Sequence, residues 1–108
     1  MDRRARVVAA NESRFRELND GLDRIVGSLP GPAAYYCECA DDACDRPLVL
    51  NRGEYQQVRA DPRQFIVAPG HEELEFEVVV ADRGRYLVVR KTGEAGAVAE
   101  ATSPLARD

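Results

Sequence analysis

The sequence predicts an α+β fold: an N-terminal amphipathic helix, then a small antiparallel sheet interrupted by a short middle helix. Three observations carry this. Phe15, Leu18, Leu22, Ile25 and Leu29 recur at spacings of 3, 4, 3 and 4, the signature of one apolar stripe on a helix. The run Glu73 to Val78 alternates acidic and apolar residues, as a half-buried antiparallel strand does. Every thiol and the one imidazole fall into two short runs, Cys37, Cys39 and Cys44 in YYCECADDACDRP and His71 in APGHEE.

The elements follow in order. The apolar stripe, extended back to Val8, predicts a helix over about 7–28. Glu12, Arg14, Arg16, Glu17, Asp20, Asp23 and Arg24 take its other, solvated faces. Gly21 weakens it by about 1 kcal/mol relative to Ala. The run SLPGP, Ser28 to Pro32, ends it. Ala33 to Cys39 reads as a strand, Asp41-Asp42 as a turn, and Pro47 to Leu50 as a second strand. Asn51 caps a helix over about 52–60, with Glu54 as its capping-box partner, and Asp61-Pro62 stops it. Gln64 to Ala68 is a third strand, turned by Pro69-Gly70. Residues 74–81 and 85–91 form a hairpin around Asp82-Arg83-Gly84, with Leu74, Phe76 and Val78 inward and Glu73, Glu75 and Glu77 outward. Gly93 to Thr102 is a short helix before a tail. The expected organisation is one domain over 1–108: a basic arm at 1–7, a helix at 8–29, a metal-stapled core at 33–91, and a short helix and tail at 92–108.

Composition narrows the function classes. The chain has 108 residues, 44% of them hydrophobic, with 19 acidic against 15 basic residues and a formal charge of −4. That balance disfavours nucleic acid as a partner, since phosphate-backbone binding needs a basic face. Arg3, Arg4 and Arg6 are the one feature that keeps it open. The start of the chain has only four small apolar residues after its arginines, short of the roughly 7–15 of a secretory signal. No stretch approaches the roughly 20 apolar residues of a membrane span. The expected location is therefore the cytoplasm, without a membrane partner.

In a reducing cytosol a tight cysteine cluster points to metal rather than disulfides, and an odd cysteine count agrees. Cys37 and Cys39 lie two apart, so on a strand both thiols face one side. Cys44 returns after an acidic turn, and His71 sits on a turn at a strand end. Together they spell a Cys3His zinc site. Glu38, Asp41, Asp42 and Asp45 add negative charge around it. Four protein ligands close a zinc shell, which favours a structural ion over a catalytic one. Two other readings stand beside this. In one the cysteines are ordinary buried residues; in the other they act as a thiol-based redox sensor or enzyme.

The run from Tyr35 to His71, with GRYLVVRKTGEAG after it and NESRFRELN (Asn11 to Asn19) before it, resembles a family of small uncharacterised bacterial proteins common in actinobacteria. The shared pattern places Cys37, Cys39, Cys44 and His71 together with Glu54, Tyr55, Arg59, Pro62, Phe65, Pro69, Gly70, Tyr86 and Lys91. The resemblance implies that the four candidate ligands form a unit, and it implies no activity.

Two further surfaces are candidates for partners. Tyr55 and Arg59 share one helix face, with Arg63 just beyond, and an arginine there can bind a carboxylate or phosphate. The stripe on helix 8–29 can meet a protein partner or a second copy as a short coiled coil. The expectation is a non-enzymatic zinc-binding module for regulation or protein interaction, with a zinc-containing nucleic-acid-binding regulator as the alternative.

Overall fold

The computed structural model describes residues 3–26, 31–39, 41 and 43–101. The chain forms α1 (Arg3–Val26), β1 (Ala33–Tyr36), β2 (Pro47–Leu50), α2 (Arg52–Arg59), β3 (Gln64–Val67), β4 (Glu77–Asp82), β5 (Leu87–Lys91) and α3 (Gly93–Ala101). The fold is α+β, with three helices and two antiparallel sheets among the described residues. Leu29, the helix stop at 28–30, Asp42 and the tail from 102 lie outside them, as do the side chains of Val8, Asn11 and Ile25. Helix α1 begins at Arg3, so Arg3, Arg4 and Arg6 belong to the helix rather than to an arm before it. No described helix is long and apolar enough to cross a membrane.

One sheet is the β1–β2 pair, with Ala33 opposite Leu50 and Tyr36 opposite Pro47. The other has the order β3-β5-β4. Phe65 faces Val89 across β3–β5, and Val79 faces Val89 across β4–β5. The register slips between Val79 and Ala81, where one extra residue makes a bulge in the edge strand β4. Glu38, just beyond β1, joins the two sheets. Its N–H donates to the Ile66 carbonyl (2.7 Å), and its carboxylate accepts the Ile66 N–H (2.9 Å). Between the sheets lies a core of Tyr35, Leu50, Tyr55, Phe65, Ile66 and Val89. The Tyr35 and Tyr55 rings stack at 4.4 Å.

The expected capping box on α2 is present: Asn51 accepts from the Glu54 N–H (2.8 Å), and Glu54 accepts from the Asn51 N–H (3.0 Å). The predicted inward faces of the longer elements, however, hold only in part. Among the described side chains of α1 the buried ones are Glu12, Ser13, Phe15, Arg16, Asn19 and Asp23; of the expected stripe Phe15 is buried and Leu22 half-buried, whereas Leu18 is 48% exposed. On β4, Glu77 is buried and Val78 is 49% exposed, while Glu73–Phe76 is a turn instead of strand, with Leu74 in solvent.

One cluster accounts for both departures. Lys91, at the end of β5, is 1% exposed and bound to Glu12 of α1 and Glu77 of β4. A buried ammonium requires paired, hydrogen-bonded acceptors, so it draws both carboxyl groups inward. Burial pushes the Glu12 carboxyl up to about 8 against the pull of Lys91.

The rest of the α1 face continues in the same chemistry. Arg16 donates to the carbonyls of Pro62 (2.6 Å) and Ala99 (2.8 Å) and lies over the Phe65 ring. Asp20 accepts from the Tyr55 hydroxyl (2.6 Å) and from Arg59 Nε (3.1 Å). Asp23 accepts from the Tyr35 hydroxyl (3.0 Å). Helix α1 is thus docked mainly through polar side chains, with Phe15 buried among them and Leu18 left outside.

Candidate metal centre

The segment Cys37-Glu38-Cys39 follows directly on β1, and its side chains alternate. Cys37 and Cys39 point to one side and Glu38 to the other. Glu38 is therefore not part of the acidic surroundings expected at the site; it is fully buried on the opposite side, bound to Ile66 and to Asn19 of α1. The backbone holds the segment in place, since the Cys37 N–H donates to the Arg46 carbonyl (3.2 Å).

The turn that returns Cys44 is folded by Asp41. Its carboxylate accepts the Ala43 N–H (2.9 Å), and its carbonyl accepts the Cys44 N–H (3.0 Å). His71 is presented by a second turn, closed by its own N–H on the Ala68 carbonyl (2.9 Å). Gly70 has φ +91°, the left-handed conformation that the third residue of a type II turn demands, and Pro69 supplies the second position.

The two turns and the segment bring the four expected ligands together. The Sγ atoms of Cys37, Cys39 and Cys44 and a ring nitrogen of His71 all lie within 4.8 Å of one another. His71 Nδ1 is 3.5 Å from Cys37 Sγ and 3.6 Å from Cys44 Sγ. A tetrahedral zinc ion, with Zn–S about 2.3 Å and Zn–N about 2.0–2.1 Å, sets sulfur and nitrogen about 3.6 Å apart. The donor set and its spacing fit that ion, with Nδ1 as the histidine ligand.

The thiols divide unequally. A hydrogen bond to Cys39 and burial push the Cys37 thiol up, and partial burial pushes up Cys44. Cys39 is pulled down to about 5, chiefly by the bond it accepts from Cys37. Three sulfurs this close cannot all carry charge unless a cation sits among them, and metal binding is what deprotonates them. The Ala68 N–H donates to Cys37 Sγ (3.1 Å), which favours negative charge on that sulfur. Ala68 thus fixes two ligands at once, Cys37 through its N–H and His71 through its carbonyl.

Cys37 and Cys39 are buried, whereas Cys44 and His71 are only partly so. A cavity of about 220 Å³, lined by Cys39, Asp41, Gly70, His71, Glu72 and Glu73, opens beside the cluster. Of the acids expected around the site, Asp41 lines this cavity and is joined there by Glu72 and Glu73, while Asp42 lies outside the described residues.

The other sequence candidates are engaged within the chain. Tyr55 and Arg59 are buried and bound to Asp20 of α1, and Arg63 pairs with Glu100 of α3. The residue that sequence reasoning passed over is Asn19. Its carboxamide accepts the Tyr36 N–H (2.7 Å) and donates to the Tyr36 carbonyl (2.8 Å) and the Glu38 carboxylate (2.8 Å). The available signal was its position in a polar repeat, Glu12, Arg16, Asn19 and Asp23, spaced 4, 3 and 4 like the apolar stripe.

Comparison of the chain with protein-family models, with curated proteins and with solved structures gives no match. The reading of the centre rests on its geometry and on the chemistry of its donors.

Proposed function

We propose that this chain is a non-enzymatic zinc-binding module, with Cys37, Cys39, Cys44 and His71 holding one structural Zn²⁺, that serves regulation through protein contact. The observation that carries the metal assignment is the placement of His71 Nδ1 at 3.5 and 3.6 Å from two thiols, the edges of a zinc tetrahedron. Three thiolates and a neutral imidazole leave no position for a reactive water, so the ion holds the β1–β2 segment to the Pro69-Gly70 turn instead of activating a substrate. The reading belongs with a reducing, cytoplasmic setting, in which thiols persist. A protein is the favoured partner because the chain is acidic and because Leu18 and Tyr36 stay partly exposed on α1 and β1.

Metal analysis of the purified protein and of Cys44→Ser, with thermal melts before and after chelation, tests the proposal. The expected result is one zinc per wild-type chain, weaker retention in Cys44→Ser, and a large fall in Tm on chelation. Structural zinc contributes an apparent 10–16 kcal/mol in small domains, by order of magnitude. Metal-free wild type with an unchanged melt sinks the reading. Thiols that alkylate readily while zinc is bound turn it toward thiol chemistry.

A further inference from the structure

The Cys37-Glu38-Cys39 triplet faces two ways. Its two thiols belong to the metal cluster, and the side chain between them is buried on the opposite side, against α1. There the Asn19 carboxamide grips the residues flanking Cys37. It pairs both backbone groups of Tyr36 as a neighbouring strand would, and it donates to the Glu38 carboxylate. Asn19 is fully buried, so it cannot exchange these bonds for water without moving the helix.

Most of the α1 face is of the same kind, with Phe15 the one fully buried apolar side chain among those described. Arg16, Asp20 and Asp23 dock through hydrogen bonds and ion pairs, while Leu18 remains outside. A helix held by directional bonds loses its hold when the partner groups shift by an ångström, because such bonds weaken steeply with distance and angle. An apolar contact is more forgiving.

From this we infer that metal occupancy is transmitted to α1 through Asn19 and Glu38, so that the ion latches the helix onto the body of the protein. The inference rests on the zinc-site reading above and adds what the site controls. With zinc bound, Cys37 and Cys39 are fixed on one ion, and the groups that Asn19 reads, Tyr36 and Glu38, are fixed with them. Without zinc, the triplet is held by its few backbone bonds, and α1 loosens before the β3-β5-β4 sheet. Coupling between two sites is reciprocal, so α1 must equally strengthen zinc binding. Asn19 is a positioning residue: it touches no ligand atom and acts through the triplet.

Two measurements on the full chain test this. The first is zinc affinity by chelator competition for wild type, Asn19→Ala and Arg24→Ala; Arg24 is an exposed residue of the same helix. Asn19→Ala is expected to bind zinc about 10- to 100-fold more weakly, the usual effect of removing a group that orients a metal ligand, and Arg24→Ala as wild type does. The second needs no substitution: hydrogen exchange of the wild type with zinc and after chelation. The amides of residues 13–23 are expected to lose protection while those of Phe65 and Val89 keep theirs. Unchanged affinity in Asn19→Ala overturns the latch. So does α1 protection that survives chelation, or a uniform loss across α1 and the sheet, which makes the ion a staple of the whole fold. These results leave the zinc site standing. A wild type that takes up no zinc overturns both readings.

Discussion

Replacing Lys91 with methionine removes an ammonium from the protein interior and leaves its two glutamates in place. Lys91, Glu12 and Glu77 are each 1% exposed or less. Unit charges about 4 Å apart attract by about 4 kcal/mol at an effective dielectric near 20. Breaking a buried pair costs about 3–5 kcal/mol, because the surviving charge has no partner. Removing the ammonium leaves the buried carboxyl groups of Glu12 and Glu77 without their shared partner. The penalty for Lys91→Met is therefore about 3–5 kcal/mol at neutral pH. A domain of this length has roughly 5–15 kcal/mol of stability in all, so the loss is a large share of it.

Urea denaturation of the zinc-loaded protein at neutral pH measures this. The companion variant combines Lys91→Met with Glu12→Leu and Glu77→Leu. Apolar replacement of a whole buried ion cluster is often neutral or stabilising, so it recovers most of the loss. A single substitution costing under about 1 kcal/mol refutes the buried cluster. A triple variant no better than the single one shows that shape, and not charge, sets the cost.

Three further outcomes are expected. The raised Glu12 carboxyl binds a proton in the folded state that the unfolded chain releases above its ordinary value of 4.5, so its contribution is present below that pH and is lost as pH rises toward about 8; Glu12→Gln flattens this slope in pH-dependent melts. Asn51→Ala removes the α2 cap and costs about 1 kcal/mol in denaturant unfolding. Tyr55→Phe removes the hydroxyl that donates to Asp20 and costs about 1–2 kcal/mol, and the loss is smaller once Asp20 is also replaced by Asn in a double-mutant cycle.

What was legible in the sequence is what short-range chemistry dictates. The Asn51–Glu54 cap, the Pro69-Gly70 turn and the β4–β5 hairpin follow from a few adjacent residues, and the structure has them. The four ligands were legible because no other thiol or imidazole exists in the chain. The burial of α1 and β4 was not, because hydropathy assumes that the apolar side of an element faces inward. Here Lys91, 79 residues from Glu12 in sequence, decides the matter. Nothing local marks a lysine as buried, and the acidic repeat on β4 reads as solvated until its cation is known. Glu38 was misplaced for a related reason: its nearness to the cysteines suggested shared surroundings, whereas strand alternation sends it to the opposite side.

The bulge in β4 matters beyond the single chain. Val78, Val79 and Val80 form a β-branched run on the free edge of the sheet, all substantially exposed. Such an edge invites another copy to add strand upon strand toward a fibril. The extra residue between Val79 and Ala81 breaks the regular ladder and twists the strand, so a flat neighbour cannot stay in register along it. Deleting that residue would straighten β4 and convert the edge into an aggregation template, which makes the irregularity a safeguard during folding as well as in the finished protein.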